Sequence, residues 1–339
     1  MGFIWSLAFS PDGQKLAVGG RNTGMTILDP REFPVADRIQ ETTLSSRVWG
    51  NFTFSPNGKL MAAVCKGDIL KAWETKTFKL VVTQENVAYV VSFSPDSTAL
   101  LAANSQSEPF WWNLESKKIT PLSQRGTSGV ECADVSPDGR FGILGRRNGT
   151  LQLVDIEAGT EIASWAAHDG GVMAVKFSES DIIISGGRDR AVAIWDRLTQ
   201  KRIAWNPGEH RGAVCGLAYS QRAGRMASGC LADVIKIWDP ANLSKALGSM
   251  PYHKAPIRTL DFSKDGKTLA SGSEDKTVRL FNVLLRKDFV KLVLDSPVRL
   301  VLFSPDDSIL AIITDSGTLR LLRATTIERA EAQARAMRQ

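Results

Sequence analysis

A short turn opened by serine recurs eight times along this chain of 339 residues, and it constrains the fold more than any other feature. The spacing between successive serines is 45, 39, 42, 42, 42, 43 and 41 residues. A period in the low forties over almost the whole chain predicts a repeat architecture. Repeat proteins usually act through the surfaces they present, so the pattern also favours a binding function. The serines are Ser10, Ser55, Ser94, Ser136, Ser178, Ser220, Ser263 and Ser304.

The fifth repeat shows the repeating unit most fully. Apolar residues mostly alternate over 172–177 and β-branched residues fill 182–185, which predicts two strands. Two further strand-like runs follow at 191–196 and 202–205. Four antiparallel strands in roughly 42 residues match one blade of a β-propeller. The sequence therefore predicts an all-β fold in which each repeat forms one four-stranded blade.

Two repeats end their third strand on a Trp-Asp dipeptide, at Trp195-Asp196 and Trp238-Asp239. With eight serine turns in phase, the chain resembles the tryptophan–aspartate (WD) repeat family of β-propellers over roughly residues 3 to 323. The resemblance implies a ring of blades around a central channel, with partner binding on the narrower face of the ring. It also implies an internal hydrogen-bonded tetrad of His, Ser, Asp and Trp within a blade.

The eight repeats predict eight blades within residues 1–323, and the alternative is a seven-bladed ring with the eighth repeat at its periphery. The tail, 324–339, is predicted to supply the outer strand of the last blade over 324–328 and then to end as a helix or in disorder. We expect a monomeric propeller, or one that forms part of a larger multidomain protein.

The resemblance maps the whole tetrad onto the fifth repeat only. The sixth repeat has its aspartate one position late, and the seventh has Phe281, which cannot donate an indole N–H. The three histidines of the chain share one repeat position, so we expect them in adjacent blades and in structural roles. The expected tetrad residues are His168, Ser185, Asp189 and Trp195, then His210, Ser228 and Trp238, and then His253, Ser271 and Asp275.

Composition and motif scans point to an ordinary globular protein without an evident reactive centre. The formal net charge is +6, and 43% of the residues are hydrophobic. The four cysteines have no framework spacing and are interpreted as free thiols in a reducing compartment, which predicts a cytoplasmic protein. No stretch approaches the ~20 apolar residues of a membrane span. The sequence predicts no membrane partner, no metal, no cofactor and no catalytic residues.

Candidate binding residues gather on the narrower face when the repeats are superposed. One set lies at an equivalent position near the mouth of the channel, and a second set lies on the turns between second and third strands. Aromatic residues and arginines are the types that dominate binding surfaces. The first set contains Trp5, Tyr89, Glu131, Arg258 and Arg299, and the second contains Arg21, Arg146, Arg147 and Arg188.

The leading hypothesis is a non-catalytic scaffold that binds a protein or peptide partner on this face. Because arginine pairs carboxylate and phosphate groups bidentately, an acidic or phosphorylated partner is expected. Nucleic-acid binding through the basic rim is the second hypothesis. An enzyme that uses the central channel is the third, and Glu131 is the only carboxylate among the superposed mouth positions. Solvated arginines without a partner remain an alternative for the rim.

Overall fold

The computed structural model describes most of the chain, with gaps in the loops and at both ends. Within the described residues every regular element is a β-strand. We number the strand groups as blades 1 to 8 in chain order. The described residues are 3–21, 23–29, 44–65, 68–74, 77, 79–87, 89–94, 96–104, 106, 108–122, 129–156, 158–179, 181–232, 234–304, 306–307, 309–316 and 319–323.

The first two blades share one continuous sheet, because β4 is long enough to serve both. Its first residues pair with β3 as the outer strand of blade 1, and its remainder pairs with β5 as the inner strand of blade 2. The strands of this sheet are β1 (Phe3–Phe9), β2 (Leu16–Arg21), β3 (Thr23–Leu28), β4 (Leu44–Phe54), β5 (Leu60–Cys65), β6 (Ile69–Glu74) and β7 (Leu80–Gln84).

Blades 3, 4 and 5 are separate four-stranded antiparallel sheets. Blade 3 contains β8 (Tyr89–Phe93), β9 (Ala99–Ala103), β10 (Pro109–Asn113) and β11 (Ile119–Pro121). Blade 4 contains β12 (Val130–Val135), β13 (Phe141–Arg146), β14 (Thr150–Asp155) and β15 (Thr160–Ala166). Blade 5 contains β16 (Val172–Glu179), β17 (Ile182–Gly187), β18 (Val192–Asp196) and β19 (Arg202–Asn206).

Blades 6 and 7 repeat the four-stranded pattern, and blade 8 has three strands among the described residues. Blade 6 contains β20 (Val214–Ser220), β21 (Arg225–Cys230), β22 (Ile235–Trp238) and β23 (Gly248–Met250). Blade 7 contains β24 (Ile257–Phe262), β25 (Thr268–Ser273), β26 (Thr277–Asn282) and β27 (Lys287–Val293). Blade 8 contains β28 (Val298–Phe303), β29 (Ile309–Thr314) and β30 (Leu319–Arg323).

The innermost strands follow one another around a ring, which confirms the predicted all-β propeller. Each of β1, β4, β8, β12, β16, β20, β24 and β28 contacts the next, and β28 also contacts β1. The ring closes by packing of apolar side chains, where Phe9, Leu16 and Val18 meet Ile309 and Ile313. In this ring β28 lies between β24 and β1. The predicted outer strand at 324–328 and the rest of the tail lie outside the described residues.

The middle strands of the blades form the core because neighbouring blades cover both of their faces. All residues of β9, β13 and β29 are buried, whereas the outer strand β15 is mostly exposed or half-buried. Strands covered on both faces carry continuous apolar runs, and strands covered on one face alternate. The core therefore consists of apolar layers between adjacent blades.

Buried serines end most of the inner strands at one end of the ring, which explains the repeat seen in the sequence. Ser136 Oγ donates to Asp138 Oδ1 at 2.5 Å and accepts from the backbone N–H of Phe141 at 3.0 Å. Gly139 completes the turn with a φ of 72°, a conformation that glycine adopts without steric cost. The serine is a turn-forming residue, and we call this end of the ring the serine-turn face.

Candidate interaction surface

The opposite end of the ring, which we call the rim face, carries one equivalent turn position in each of five consecutive blades. These turn positions follow the second strand, and each backbone N–H donates to a carbonyl in the link before the first strand. The turn positions are Arg147, Arg188, Leu231, Glu274 and Asp315, which donate to Gly129, Gly171, Ala213, Pro256 and Pro297 at 2.8–3.0 Å.

A second set of equivalent positions lies in the inner strands, and each of them is a β-bulge. A bulge inserts one extra residue and turns its side chain out of the regular alternation, so it is a device for aiming a side chain. We call these residues the mouth positions. They are Trp5, Glu131, Met173, Cys215, Arg258 and Arg299.

Three of the predicted rim residues form a cluster at blades 4 and 5. Glu131 Oε1 lies 3.2 Å from Arg147 Nε in an ion pair and accepts a hydrogen bond from Arg188 Nη2 at 3.0 Å. The Glu131 side chain is 15% exposed, whereas those of Arg147 and Arg188 are 66% and 53% exposed. Two open arginines therefore share one covered carboxylate. We call these three residues the blade 4–5 cluster.

Two further predicted arginines, Arg258 and Arg299, form a second cluster at blades 7 and 8. Arg258 Nε donates to Glu274 Oε1 at 3.0 Å, and its Nη1 lies 3.3 Å from Asp315 Oδ1. Arg299 Nε donates to Asp315 Oδ1 at 3.1 Å. We call these four residues the blade 7–8 cluster. Sequence reasoning missed Glu274 and Asp315 because it searched the turns for basic residues only.

Arg146 does not share this surface with Arg147, and its assignment to the exposed rim is corrected. The Arg146 side chain is buried, and its guanidinium donates to Gln152 Oε1. Burial lowers the pKa of Arg146, and the negative charge of Glu161 opposes that shift. Successive residues of a strand point to opposite sides, so the last residue of β13 turns inward while the next one faces solvent.

Three other predicted rim residues are placed by their backbones only. Trp5 is the bulge residue of β1, and Arg21 ends β2. In β8 the bulge falls at Val91, two residues after Tyr89, so Tyr89 does not hold the equivalent of the Glu131 position. The side chains of Trp5, Arg21 and Tyr89 lie outside the described parts of the structure.

A cavity of about 680 Å³ opens along the inner strands of blades 4 to 7. Both arginines of the blade 4–5 cluster border it, and its wall is lined by Met173, Cys215, Leu217 and Leu260 among others. Burial raises the pKa of the Cys132 thiol to about 12 and that of Cys215 to about 11. These thiols are therefore poor nucleophiles at neutral pH.

Charged side chains lie deeper along the inner strands. Lys176 Nζ is 3.3 Å from Asp134 Oδ1, and that carboxylate raises the pKa of Lys176. On blade 7, Asp261 Oδ2 accepts from the backbone N–H of Phe303 at 2.7 Å. Burial raises the pKa of Asp261 to about 7 although this bond and Lys176 act in the opposite direction. Among the described residues no group of three or more His, Cys, Asp or Glu could hold a metal ion.

Blade 5 contains a complete chain of tetrad hydrogen bonds beneath the turn that carries Arg188. His168 Nδ1 lies 2.9 Å from Asp189 Oδ1, and its Nε2 lies 2.8 Å from Ser185 Oγ. Trp195 Nε1 donates to the same Ser185 oxygen at 2.8 Å. Ser185 is fully buried, so a substrate cannot reach its hydroxyl as it would the nucleophile of a hydrolase.

The tetrad carboxylate also fixes the backbone around the turn. Asp189 accepts from the backbone N–H groups of Asp169 at 3.0 Å and Ala191 at 3.1 Å. Burial alone would raise the pKa of Asp189, but its hydrogen bonds and the nearby His168 hold it below its usual value. The tetrad thus links the turn after β17 to the link before β16, which brings Arg188 to the channel.

Blade 7 keeps the same arrangement without an indole. His253 lies 3.0 Å from Asp275 Oδ2 and 2.6 Å from Ser271 Oγ. Thr277 Oγ1 joins the network at 2.6 Å from Asp275 Oδ1, a contact that the repeat pattern did not reveal. Burial raises the pKa of Asp275, but the bonds from Thr277, from the backbone N–H of Lys254 and from His253 bring it down to about 2.

Blade 6 has the serine and indole of the tetrad but no carboxylate partner for its histidine among the described residues. His210 Nε2 lies 2.6 Å from Ser228 Oγ, which also accepts from Trp238 Nε1 at 2.6 Å. His210 Nδ1 is buried and has no hydrogen-bond partner in the described part of the chain. Burial lowers the pKa of His210 to about 4, and the charge of Lys236 acts in the same direction.

The described part of the chain contains no helix long and apolar enough to cross a membrane. Comparison with known families matches the description "WD domain, G-beta repeat" to residues 1–27, 159–196 and 244–282. The computationally designed Ika8 protein superposes with a TM-score of 0.77 at 20% identity, over 95% of this chain and 96% of that one. At that identity the likeness concerns the fold alone.

Sequence relatives match roughly half to two thirds of the chain. The anaphase-promoting complex subunit cdc20 of Dictyostelium discoideum is 26% identical over 52% of this chain and 36% of its own length. A guanine nucleotide-binding protein subunit beta of Oryza sativa is 24% identical over 58% of this chain and 55% of its own length. The human kinesin-like protein KIF21B is 25% identical over 65% of this chain, which spans only 14% of that protein. The matched repeats and the ring of blades confirm the predicted resemblance to the WD-repeat family and the predicted all-β propeller fold.

Proposed function

We propose that this protein is a non-catalytic scaffold that binds a protein or peptide partner at the channel mouth on its rim face. The observation that carries the proposal is the blade 4–5 cluster, where Arg147 and Arg188 are more than half exposed and share a single carboxylate, Glu131. An excess arginine beside an open cavity is suited to a carboxylate or phosphate group, which guanidinium groups bind bidentately. The partner is therefore acidic or phosphorylated where it contacts these two blades.

Two of the relatives support partner binding by their names alone. One is a subunit of the anaphase-promoting complex and another is the beta subunit of a guanine nucleotide-binding protein, so both work within assemblies. The present chain matches only part of each, and we transfer only the general role of docking. An enzyme working in the channel is disfavoured because Ser185 is buried and engaged, and because Cys132 and Cys215 have raised pKa values.

The nucleic-acid hypothesis is weaker than the peptide hypothesis. Glu274 and Asp315 occupy turn positions on the same rim face, where a phosphate backbone would meet their negative charge. Proteins that bind nucleic acid usually present an extended basic surface to neutralise phosphates. Among the described mouth and turn positions that form ion pairs, an excess of arginine over carboxylate occurs in the blade 4–5 cluster.

The proposal is tested with short random peptides displayed in a library and selected on the intact protein. Selected peptides are then synthesised, and their dissociation constants are measured for the wild type and for the double variant Arg147→Glu, Arg188→Glu. We expect the variant to lose at least about tenfold in affinity, equivalent to 1.4 kcal/mol. Its melting temperature should stay within about 3 °C of the wild type, because both side chains are exposed.

The matched control reverses two charges on the serine-turn face. Lys201 and Arg222 are both exposed, and neither borders the channel cavity. The double variant Lys201→Glu, Arg222→Glu should bind the selected peptides as the wild type does. Equal losses in both variants would indicate a general charge effect, and no loss in the rim variant would overturn the proposed site.

A further inference from the structure

The two rim clusters share one contact geometry, but the charges of the mouth residue and of the turn residues that it contacts are exchanged. In the blade 4–5 cluster an acidic mouth residue contacts a basic turn residue 16 positions later and another 57 positions later, Arg147 and Arg188. In the blade 7–8 cluster the basic mouth residue Arg258 contacts acidic turn residues at the same separations of 16 and 57, Glu274 and Asp315. The repeat thus builds the same ion-pair geometry twice with its charges exchanged.

Blade 6 lies between the two clusters and carries no charge at either position. Its turn position is Leu231, which is 46% exposed, and its mouth position is Cys215. The neighbouring mouth position on blade 5 is Met173, which is also apolar and lines the cavity. The exposed Leu231 and the apolar mouth positions Met173 and Cys215 give this part of the rim apolar side chains against which a partner can bury one of its own.

The turn positions therefore form an ordered series around the channel: basic at blades 4 and 5, apolar at blade 6, and acidic at blades 7 and 8. The series is confined to the positions next to the channel. Farther out the signs are mixed, since exposed Asp169 lies near the basic turns and exposed Lys254 near the acidic ones. Recognition by charge order is therefore restricted to a short segment that lies across the channel.

We propose that this surface binds a segment of bipolar charge. An apolar side chain of the partner enters the channel beside Leu231, an acidic side chain contacts Arg147 and Arg188, and a basic side chain contacts Glu274 and Asp315. This proposal rests on the proposed docking function and adds a requirement for positive charge in the partner. Complementary charges on both sides of an apolar anchor fix the register of a bound segment, because a shifted segment would place like charges together.

The test uses a peptide selected on the wild-type protein and two altered peptides, one with its acidic residue and one with its basic residue replaced by glutamine. Dissociation constants are measured for the wild type and for the double variant Glu274→Gln, Asp315→Asn. We expect removal of the peptide's basic residue to weaken binding to the wild type about fivefold and to have no effect on binding to the variant. Removal of the peptide's acidic residue should weaken binding to the wild type and to the variant by the same factor.

A second variant, Glu274→Gln alone, keeps the test valid if loss of Asp315 disturbs the fold, because the ion pair described for Glu274 joins it to Arg258, whereas Asp315 contacts both Arg258 and Arg299. The bipolar proposal would be overturned if the selected peptides were acidic throughout. It would also be overturned if removal of the peptide's basic residue weakened binding to the wild type and to the variants by the same factor. In both cases the proposed docking function would still stand if the Arg147→Glu, Arg188→Glu variant failed to bind the selected peptides. Peptides whose dissociation constants are the same for the wild type and for all of these variants would overturn both the docking proposal and the bipolar proposal.

Discussion

The blade 4–5 cluster and the blade 7–8 cluster show how one repeat geometry can present two different surfaces. Both are built from a bulge residue, the turn of its own blade and the turn of the next blade. In the first, two arginines share one glutamate, and in the second, two arginines face two carboxylates. The repeat fixes where the side chains lie, and the residue types at those places decide what can bind.

The clusters also differ in how firmly they are held. The arginine side chains of the blade 4–5 cluster are 66% and 53% exposed, whereas Arg258 and Arg299 are 34% and 31% exposed. Exposed ion pairs contribute little to stability because water screens them. The blade 4–5 cluster can therefore exchange its internal partner for an external one at lower cost, which fits a docking role.

The largest expected effect concerns the tetrads that support the two clusters. Ser185→Ala in blade 5 leaves both His168 Nε2 and Trp195 Nε1 without a partner, and we expect a loss of about 2–4 kcal/mol in the free energy of unfolding. Ser271→Ala in blade 7 removes the hydrogen bond of His253 Nε2 alone, because Phe281 has no side-chain N–H. It should lower the free energy of unfolding by about 1–2 kcal/mol. Chemical denaturation of both variants gives the comparison.

Ser178→Ala is the control for these two serines, since its hydroxyl makes only a 3.5 Å contact with the carbonyl of Ile182. It should change stability by less than about 0.5 kcal/mol. If Ser271→Ala proved as costly as Ser185→Ala, the indole of blade 5 would not depend on its serine.

A smaller effect is expected from the blade that separates the clusters. The pKa of His210 is lowered to about 4 from an ordinary value of 6.5, so the folded state binds fewer protons than the unfolded state between these values. The stability that the neutral His210 contributes is present above pH 6.5 and is lost as the pH falls through 4. The wild type should lose up to about 1.4 kcal/mol per pH unit in this window relative to His210→Asn.

Denaturation curves at several pH values measure this difference directly. The carboxylates of the other two tetrads have lowered pKa values and affect the curve chiefly below the window. Parallel stability profiles for the wild type and His210→Asn would contradict a neutral, buried His210.

The smallest effects concern the rim ion pairs themselves. Asp315→Asn weakens the contacts of Arg258 and Arg299, and Glu131→Gln weakens those of Arg147 and Arg188. Each change should cost less than about 1 kcal/mol, with the larger loss at Asp315 because its arginines are less exposed. Thermal unfolding at low and high salt tests the ranking. A larger loss at Glu131 would mean that the blade 4–5 cluster is a structural element.

Much of the fold could be predicted from the sequence because the repeat supplies eight copies of one signal. Turn chemistry at residues such as Ser136 was sufficient to predict the blades, and the resemblance to the WD-repeat family implied the tetrads that contain the three histidines. The hydrogen-bond network of blade 7 also includes Thr277. This residue lies outside the family pattern, and its contact with Asp275 was seen in the structure alone.

The candidate surface was harder to predict because it depends on which way single side chains turn. Arg146 and Arg147 are adjacent in sequence, yet one is buried against Gln152 and the other is exposed beside Glu131. The bulges that aim the mouth positions leave no clear mark in the sequence, as the shift from Tyr89 to Val91 in β8 shows. The separation of 16 residues between mouth and turn positions in blades 4, 6, 7 and 8 could have revealed Glu274 and Asp315.

The most direct test of the docking account converts the blade 4–5 cluster into a copy of the blade 7–8 arrangement. The triple variant Glu131→Arg, Arg147→Glu, Arg188→Glu exchanges every charge while keeping a pairing geometry that the protein already uses. Its dissociation constant for a peptide selected on the wild type is measured beside its melting temperature. The account predicts at least about tenfold weaker binding with the melting temperature within about 3 °C of the wild type. Unchanged affinity in the folded triple variant would contradict it.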